Sequence, residues 1–245
     1  MNSLHGKTIW LIGASHGLGR ETARQLDALG ARVILSARSA EALEQLADEL
    51  TQARPAAVDV TDPQSVASAA RLAGPVDAVI YNAGAYEPLR TQNWDTDAAL
   101  RMIDVNFNGA LRVLGQVVPG FVKSGRGEIT LIGSLAGYRG LPAAIGYGAS
   151  KAALISLAET MRHDLKGTGV TVRIINPGFI KTRLTEKNSF AMPQLMTPEQ
   201  AAAHVVRALQ SRRFRTDFPR PFSWAIKAFA LLPDWLAYRG RQTGG

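Results

Sequence analysis

The sequence predicts an α/β fold. In it, a doubly wound parallel sheet of about seven strands has helices on both faces and a helical extension at the C-terminal end. Short runs of strand-forming residues alternate with longer segments whose apolar residues recur at helical spacing. Several of these runs end in turns of glycine and other small residues. No internal repeat or linker divides the chain, so we expect a single domain over residues 1–245.

The predicted elements follow one another in a regular order. Strands are predicted at residues 8–12, 32–36, 56–58, 76–81, 127–132 and 170–175, with a closing edge strand at 215–218. Helices are predicted at residues 20–29, 40–50, 97–121 and 198–209, and two more begin at Pro63 and Tyr147. Proline suits the first turn of a helix, and Gly30 ends the first one.

The composition excludes several kinds of chemistry. The 245 residues are 46% hydrophobic and include no cysteine, which rules out disulfides, thiol catalysis and cysteine-based zinc sites. The four histidines lack the spacing of metal ligands, so no metal is expected. No apolar run approaches the ~20 residues that span a bilayer, and the N-terminus lacks a signal-peptide pattern. We therefore expect a cytoplasmic protein.

A glycine-rich turn joins the first predicted strand to the first predicted helix. Its sequence is Gly13-Ala14-Ser15-His16-Gly17-Leu18-Gly19. Glycines permit a tight turn and let the backbone come close to a pyrophosphate, whose charge the N-terminus of the next helix stabilises. A strand, such a turn and a helix in this order are the setting in which a glycine fingerprint binds a dinucleotide. We expect all of these turn residues except Ala14 to bind the cofactor.

The end of the second predicted strand indicates which dinucleotide binds. Folds that bind NAD(H) place a carboxylate there to hold the ribose 2′-hydroxyl, whereas this chain reads Ser36-Ala37-Arg38. Arg38 can pair with a 2′-phosphate instead, so NADP(H) is favoured over NAD(H). His16 would assist if it were protonated. The alternative is that Arg38 is a surface residue at the start of a helix.

Tyr147 and Lys151 are the candidate catalytic pair. Four residues apart on a helix, they lie on one face, and an ammonium beside a phenol should lower the phenol pKa from ~10. Ser134 follows the fifth strand, at the edge where open α/β sheets bind ligands, and its hydroxyl can polarise a carbonyl. Asn106, set among apolar residues of a helix, needs partners if buried. The alternative is that Tyr147 and Lys151 are ordinary residues of a helix surface.

Taken together, these motifs resemble the short-chain dehydrogenase/reductase family in its single-domain, Rossmann-like form. The resemblance covers roughly residues 6–182. The matching pieces are the Gly13–Gly19 turn, Asp59-Val60, Asn82-Ala83-Gly84, Asn106, Ser134, Tyr147 with Lys151, and Pro177-Gly178 with Thr182. Two positions depart from the family pattern, namely Ile12, where threonine is usual, and Tyr81, where asparagine is common. Both usual residues tie the sheet to the cofactor loop, so the departures bear on the rigidity of that loop.

The resemblance implies a role for each matching residue. Tyr147 would be the general acid in reduction and the base in oxidation, Lys151 would lower its pKa and hold the nicotinamide ribose, and Ser134 would polarise the carbonyl. Asn106 would hold a water that links Lys151 to solvent. The remaining implied cofactor contacts are Asp59 and Val60 at the adenine, Asn82, Ala83 and Gly84 along the cofactor, and Pro177, Gly178, Ile180 and Thr182 near the carboxamide and phosphates.

The expected function is NADP(H)-dependent hydride transfer between the nicotinamide and a carbonyl or secondary alcohol. One alternative is reduction of a 3-oxoacyl thioester on an acidic carrier protein. Another is NADP(H) sensing without turnover, against which the complete Ser134, Tyr147, Lys151 and Asn106 set argues. Nucleic acid is suggested only by the net charge of +8 and is not expected, because no recognised module is present. We expect a homodimer or homotetramer.

The last quarter of the chain carries less chemical information. Residues 183–197 are predicted to form a substrate lid, and their apolar content favours an apolar substrate. Residues 219–245 form a basic, apolar extension in which Pro233 should break the helix. Seven basic and two acidic residues follow position 211, namely Arg212, Arg213, Arg215, Arg220, Lys227, Arg239 and Arg241, with Asp217 and Asp234. The extension packs on the body or in a dimer, or residues 220–240 contact a membrane surface.

Overall fold

Seven parallel strands form one sheet in the structure, a computed structural model that describes residues 3–188 and 190–239. The strands are β1 Thr8–Ile12, β2 Arg32–Ser36, β3 Ala53–Pro55, β4 Ala78–Tyr81, β5 Gly127–Ile132, β6 Val170–Pro177 and β7 Arg215–Phe218. Their order across the sheet is β3-β2-β1-β4-β5-β6-β7. The order reverses between β1 and β4, which is where doubly wound sheets open a ligand crevice.

Helices cover both faces of the sheet, as the sequence predicts. They are α1 Gly17–Ala28, α2 Ala40–Asp48, α3 Pro63–Ala73, α4 Thr96–Ile103, α5 Gly109–Ser124, α6 Ile145–Asp164, α7 Pro198–Leu209, α8 Phe222–Leu231 and α9 Asp234–Ala237. Alternate residues of β1 supply both cores, because successive strand side chains point to opposite faces. Leu11 packs in the cluster that includes α1, α2 and α7, whereas Trp10 packs in the one that includes α3, α5 and α6.

Local sequence accounts for several helix ends. Pro63 opens α3 as predicted, and the Asp62 carboxylate caps it by accepting from the Gln64 amide at 2.8 Å. Thr197 and Gln200 form a reciprocal capping box at the start of α7. These caps satisfy amide groups that have no partner within their own helix.

Three predicted elements differ from the structure. The third strand was predicted at 56–58 but spans Ala53–Pro55. The prediction was wrong because Ala56 and Val58 are buried beyond the strand, where their amides still donate to the carbonyls of β2 and Ala37. The first helix begins at Gly17, so the glycine turn supplies its first residues. The long helix predicted at 97–121 is interrupted by a π-helical turn, Asp104–Asn108.

The C-terminal extension folds as two short helices. Pro233 separates α8 from α9, as predicted. Arg241 and the rest of residues 240–245 lie outside the described part of the chain, as does Ser189 of the predicted lid. Within residues 3–188 and 190–239, no helix has both the length and the apolar content needed to cross a bilayer.

Candidate active site

The glycine turn packs against the end of β4 with no space for side chains. Gly13 has a φ of +90°, and a Cβ there would lie 2.6 Å from the Ala83 amide nitrogen. A Cβ on Gly19 would lie 1.9 Å from the Gly13 carbonyl oxygen, to which the Asn82 side-chain amide donates at 2.9 Å. We call this close-packed turn beside the start of α1 the glycine cradle. This is the geometry that a bound pyrophosphate requires.

The exit of β6 reaches the same turn. Gly17 has a φ of +52°, and a Cβ there would lie 2.8 Å from the Thr182 methyl carbon. The Thr182 amide donates to the Thr185 hydroxyl at 3.0 Å, and that hydroxyl donates to the Ile180 carbonyl at 2.6 Å. Pro177 ends β6, and the Gly178 amide that follows it donates to the Phe218 carbonyl at 2.7 Å. The predicted cofactor residues from β1, β4 and β6 thus meet at one edge.

Arg38 and Asp59 lie together beyond the ends of β2 and β3. The hydroxyl and amide of Thr61 donate to the Asp59 carboxylate at 2.7 and 2.9 Å, and they lower its pKa, with smaller contributions from the charges of Arg38 and Arg112. Arg38 is exposed. Val60 is buried in the core against Gly109. A cationic side chain is therefore available at the position where the sequence predicts the 2′-phosphate.

His16 occupies the turn as predicted, but its protonation is disfavoured. Burial lowers the pKa of His16, and the nearby charges of Arg183 and Arg20 lower it further. The Nδ1 atom lies 2.9 Å from the Ser15 hydroxyl. These effects disfavour the protonated form of His16 that would assist a 2′-phosphate.

Ser134 stands at the end of β5 in a turn that packs on α6. Its side chain is buried, and its hydroxyl accepts from the Ala136 amide at 3.1 Å, which caps the short helix Leu135–Gly137. A Cβ on Gly137 would lie 2.8 Å from the Lys151 carbonyl carbon. This close contact holds the Ser134 turn beside the face of α6 that carries Tyr147.

Tyr147 and Lys151 share one face of α6, which confirms the interpretation of their spacing. The Lys151 ammonium lies 5.7 Å from the centre of the Tyr147 ring. Lys151 is buried, and its Nζ donates to the Ile132 carbonyl at 2.8 Å. That carbonyl belongs to the last residue of β5, so a single backbone atom fixes the ammonium beside the Ser134 turn.

The structure corrects the expected pKa of Tyr147. The sequence predicts that Lys151 lowers it, whereas burial raises the pKa of Tyr147, the Ser134 hydroxyl offsets part of the rise, and Tyr86 adds to it. The ammonium is directed at the Ile132 carbonyl instead of the phenolic oxygen, so desolvation outweighs charge attraction. Burial also lowers the pKa of Lys151 to about 8.

Asn106 is a fully buried amide with complete hydrogen bonding. It lies in the π-helical turn, where its Oδ1 accepts from the Ala85 amide at 2.6 Å. Its Nδ2 donates to the Ala85 carbonyl at 3.0 Å and to the Ser150 hydroxyl at 2.9 Å. A Cβ on Gly84 would lie 3.7 Å from Asn106 Oδ1 and 3.9 Å from Lys151 Nζ. Asn106 therefore links the loop after β4 to α6, close to the ammonium.

Tyr81, one of the two departures from the family pattern, makes a different connection. Its ring is buried, and its hydroxyl donates to the Val105 carbonyl in the π-helical turn. A Cβ on Gly109 would lie 2.4 Å from that hydroxyl oxygen. Burial raises the pKa of Tyr81, so the phenol remains a donor. Tyr81 thus ties β4 to the turn that carries Asn106.

Tyr86 is a site residue that sequence reasoning missed. Its ring stands edge-on to the Tyr147 ring, with centroids 5.0 Å apart and planes at 77°. Its hydroxyl donates to Asn188 Oδ1 at 2.6 Å, in the predicted lid. An aromatic residue two positions after Gly84 was the available signal, because that loop leaves the sheet at the edge that carries the site.

The predicted lid rests on this loop and on the start of the tail. Lys187 pairs with Glu87 at 2.5 Å, and Ile180 forms a β-bridge with Met196. The Gln194 side chain donates to the Arg220 carbonyl at 3.3 Å and accepts from the Phe222 amide at 3.1 Å. The lid therefore contacts the first residues of the extension through Gln194.

A separate surface cavity of about 660 Å³ lies near the N-terminal ends of β1, β2 and β3. Thr8, Arg32 and Arg54 contribute to its lining, and none of the predicted site residues does. The C-terminal edge of the sheet, in contrast, gathers the glycine cradle, a cationic side chain and the Ser–Tyr–Lys cluster. That combination defines a class, the dinucleotide-dependent α/β oxidoreductases.

Comparison with known proteins gives the same class. A family model described as short chain dehydrogenase matches residues 7–192. An uncharacterized oxidoreductase of Myxococcus xanthus is 34% identical over an alignment of 242 residues, with 96% of each chain covered. The ketoacyl reductase HetN of Nostoc is 32% identical, with 86% of this chain and 78% of that protein covered.

A solved structure extends the comparison. A short chain dehydrogenase from Burkholderia cenocepacia in complex with NADP superposes with a TM-score of 0.82 at 26% identity, covering 95% of this chain and 100% of that one. The chain belongs to the short-chain dehydrogenase/reductase family and is an oxidoreductase of that family, whose members bind a nicotinamide cofactor.

Proposed function

We propose that this protein is an NADP(H)-dependent carbonyl reductase that also oxidises the corresponding secondary alcohol. The observation that carries the proposal is the meeting of Ser134, Tyr147 and Lys151 at the edge of the sheet that also carries the glycine cradle. Backbone groups fix two of these side chains, since Lys151 is held by the Ile132 carbonyl and Ser134 by the Ala136 amide. Preorganised donors of this kind favour a transition state in which an oxygen gains negative charge.

The side chains have complementary roles in reduction. Bound NADPH would supply the hydride. Ser134 and Tyr147 would donate hydrogen bonds to the substrate carbonyl oxygen as it becomes an alkoxide, and Tyr147 would then transfer its proton to that oxygen. The raised pKa of Tyr147 keeps the phenol protonated at neutral pH, which is the state that an acid needs. The Lys151 ammonium would stabilise the phenolate left behind.

The hydrogen bonds of Asn106 restrict how it could hold the water that the resemblance implies. Both hydrogens of its side-chain amide are already donated, to Ala85 and Ser150. A water held by Asn106 would therefore have to donate to an Asn106 oxygen. We propose that Asn106 shapes the loop that carries Gly84 and that such a water returns protons to Lys151 and from there to Tyr147.

Replacement of the proposed acid tests the function. Tyr147→Phe should reduce turnover about a thousandfold, because acid–base groups contribute factors of about 10² to 10⁴, and should leave NADPH affinity unchanged. Turnover is followed as NADPH consumption over ketones, quinones, steroids and oxoacyl thioesters, with Tyr238→Phe, at an exposed tyrosine, as the control. Full turnover in Tyr147→Phe would reject the assigned acid. NADPH consumption by the wild type with any of these substrates would also eliminate the alternative of NADP(H) sensing without turnover.

The cofactor preference rests on Arg38. An exposed guanidinium stands at the predicted 2′-phosphate position, and the chain has no carboxylate at the end of β2. Arg38→Ala should weaken NADPH binding by about tenfold to a hundredfold, since a charge-assisted pair contributes about 1.5–3 kcal/mol, and should leave NADH binding as it is. Isothermal titration with both cofactors measures this directly. Equal losses for NADPH and NADH would place the 2′-phosphate elsewhere.

Reduction of 3-oxoacyl thioesters is the second candidate. The observation in its favour is the likeness to a protein named ketoacyl reductase, together with the exposed Arg212 and Arg213 near the tail. An acidic carrier protein would bind such a surface, whereas free ketones would not need it. A preference for the carrier-linked thioester over the same acyl chain on a small thiol, lost in Arg212→Glu/Arg213→Glu, would favour this candidate.

A further inference from the structure

The C-terminal extension carries two apolar stripes, and they differ in burial. Phe222 stacks on Phe179 with ring centres 5.6 Å apart, and Ile226 and Phe229 are partly buried on the same side. The opposite stripe faces outward, with Trp224 57%, Leu231 86% and Trp235 67% exposed. Within the described residues, α8 thus buries one apolar face on the body and presents another to its surroundings.

The outward stripe is held in this orientation by Arg139. Its guanidinium donates to the carbonyls of Phe229 at 3.2 Å and Leu232 at 2.5 Å, near the C-terminal end of α8. It also pairs with Asp234 and lies over the ring of Tyr238, with its Cζ 5.0 Å from the centroid. Arg139 thus contacts the chain on both sides of Pro233 and ties α8 and α9 to the body in this orientation.

Positive charges accompany the exposed aromatic rings. The Arg220 guanidinium lies 5.2 Å from the Trp224 ring centroid, and the Arg239 guanidinium lies 5.8 Å from that of Trp235. Six basic and two acidic residues occur between positions 211 and 239. Lys227 is paired with Asp217, but Arg220 and Arg239 form no ion pair with the described residues. Tryptophan and arginine at the two ends of an apolar stripe match the headgroup region of a bilayer.

We propose that the outward face of α8 and α9 docks on the surface of an anionic phospholipid bilayer, with the helices in the plane of the interface. A second copy of the chain is a poorer occupant. The ten-residue α8 and the four-residue α9 together offer a face about 21 Å by about 10 Å, or about 210 Å², whereas a stable interface covers about 800 Å² on each partner. Two copies would also bring like charges together, while anionic lipid neutralises both arginines.

Vesicle flotation tests the proposal on the full-length chain. The wild type should float with vesicles that contain phosphatidylglycerol and remain in solution with pure phosphatidylcholine, and salt should weaken the binding. Trp224→Ala/Trp235→Ala should bind about tenfold or more weakly, because two exposed rings no longer enter the interface. Trp94→Ala is the matched control, since that tryptophan is 59% exposed outside the extension, and should bind like the wild type.

Charge reversal gives an independent arm. Arg220→Glu/Arg239→Glu should lose at least about tenfold in affinity for the anionic vesicles, with an unchanged thermal unfolding temperature as the check on folding. Failure of the wild type to float, or wild-type binding in both double variants, would overturn the proposal. So would a dimer, detected by sedimentation, that the tryptophan variant abolishes while vesicles have no effect. NADPH consumption plays no part in these readouts, so they stand apart from the proposed reaction.

Discussion

The cofactor edge and the lid–tail segment are held together by different kinds of contact. At the cofactor edge, backbone meets backbone. The Gly13 amide donates to the Ser36 carbonyl at 2.7 Å, and a Cβ on Gly19 would collide with the Gly13 carbonyl. In the lid and tail, side chains make several of the connections, as in the Tyr86–Asn188 hydrogen bond and the contacts of Arg139, beside the backbone bridge between Ile180 and Met196.

This difference suggests a division of roles, in which the cofactor edge serves the reaction and the lid and tail serve substrate specificity. A Cβ at Gly13 or Gly19 would collide with neighbouring backbone, so these two positions admit no side chain and the cradle is fixed in place. Side-chain contacts can be exchanged one at a time at a cost of about 1 kcal/mol each. We therefore expect residues 183–239, which make such side-chain contacts, to determine which substrate is accepted. Three predictions test this contrast between the cofactor edge and the lid and tail.

The largest effect is expected at the cradle. Gly19→Ala would place a methyl group 1.9 Å from the Gly13 carbonyl oxygen, so the turn must shift. Overpacking costs about 1–3 kcal/mol, and we expect NADPH affinity to fall by up to about a hundredfold. Titration calorimetry measures the loss. Gly120→Ala is the control, because a Cβ in that exposed turn of α5 has nothing within 4 Å. Equal affinities in the two variants would contradict the rigid cradle.

The buried ammonium should make stability depend on pH. Burial lowers the pKa of Lys151 from 10.5 to about 8, so between these values the unfolded chain binds a proton that the folded chain does not. The free energy of unfolding should therefore rise with pH by about 3 kcal/mol across this interval, relative to Lys151→Met. Urea unfolding of both proteins between about pH 8 and about pH 10 measures it.

Lys123→Met, at an exposed position near the end of α5, should follow the wild-type profile. A flat difference between wild type and Lys151→Met would mean that the ammonium is solvated and that the catalytic edge is open to water. Such a result would weaken the contrast between a tightly packed cofactor edge and a lid held by side-chain contacts.

The smallest effect is expected at the lid. Tyr86→Phe keeps the ring against Tyr147 and removes the hydrogen bond to Asn188, so KM for the carbonyl substrate should rise about fivefold with little change in kcat. Asn188→Ala should give the same change. The double variant should be no worse than either single one, because both remove one interaction. Additive effects, or a loss confined to kcat, would show that Tyr86 does not act through the lid.

Much of the fold and the site could be predicted because their signals are local. Glycines before a helix, a proline at a first turn and a tyrosine four residues before a lysine depend on a few neighbouring residues. The prediction of β3 failed because Ala56 and Val58, two buried residues with one residue between them, give the pattern of a strand although they lie beyond its end. The π-helical turn has no local signal, because it depends on Tyr81 reaching the Val105 carbonyl from another element.

Long-range geometry also explains the wrong pKa prediction. Spacing alone places an ammonium beside the Tyr147 phenol, but it contains no information about the Ile132 carbonyl that takes the ammonium's hydrogen bond. Tyr86 was missed for the same reason. Its two partners, Tyr147 and Asn188, are distant in sequence and come together only when the lid lies over the loop after β4.

Gln194 joins the lid to the tail, because one amide group contacts both the Arg220 carbonyl and the Phe222 amide at the beginning of the tail. Coupling between two binding sites is reciprocal. If binding of α8 to a surface changes the affinity of the site for its substrate, a bound substrate changes the affinity for that surface by the same factor. With the proposed bilayer contact, occupancy of the site would thus set residence time on the lipid. A coupling factor above one would collect the protein at membranes that contain its substrate, and a factor below one would release it from them.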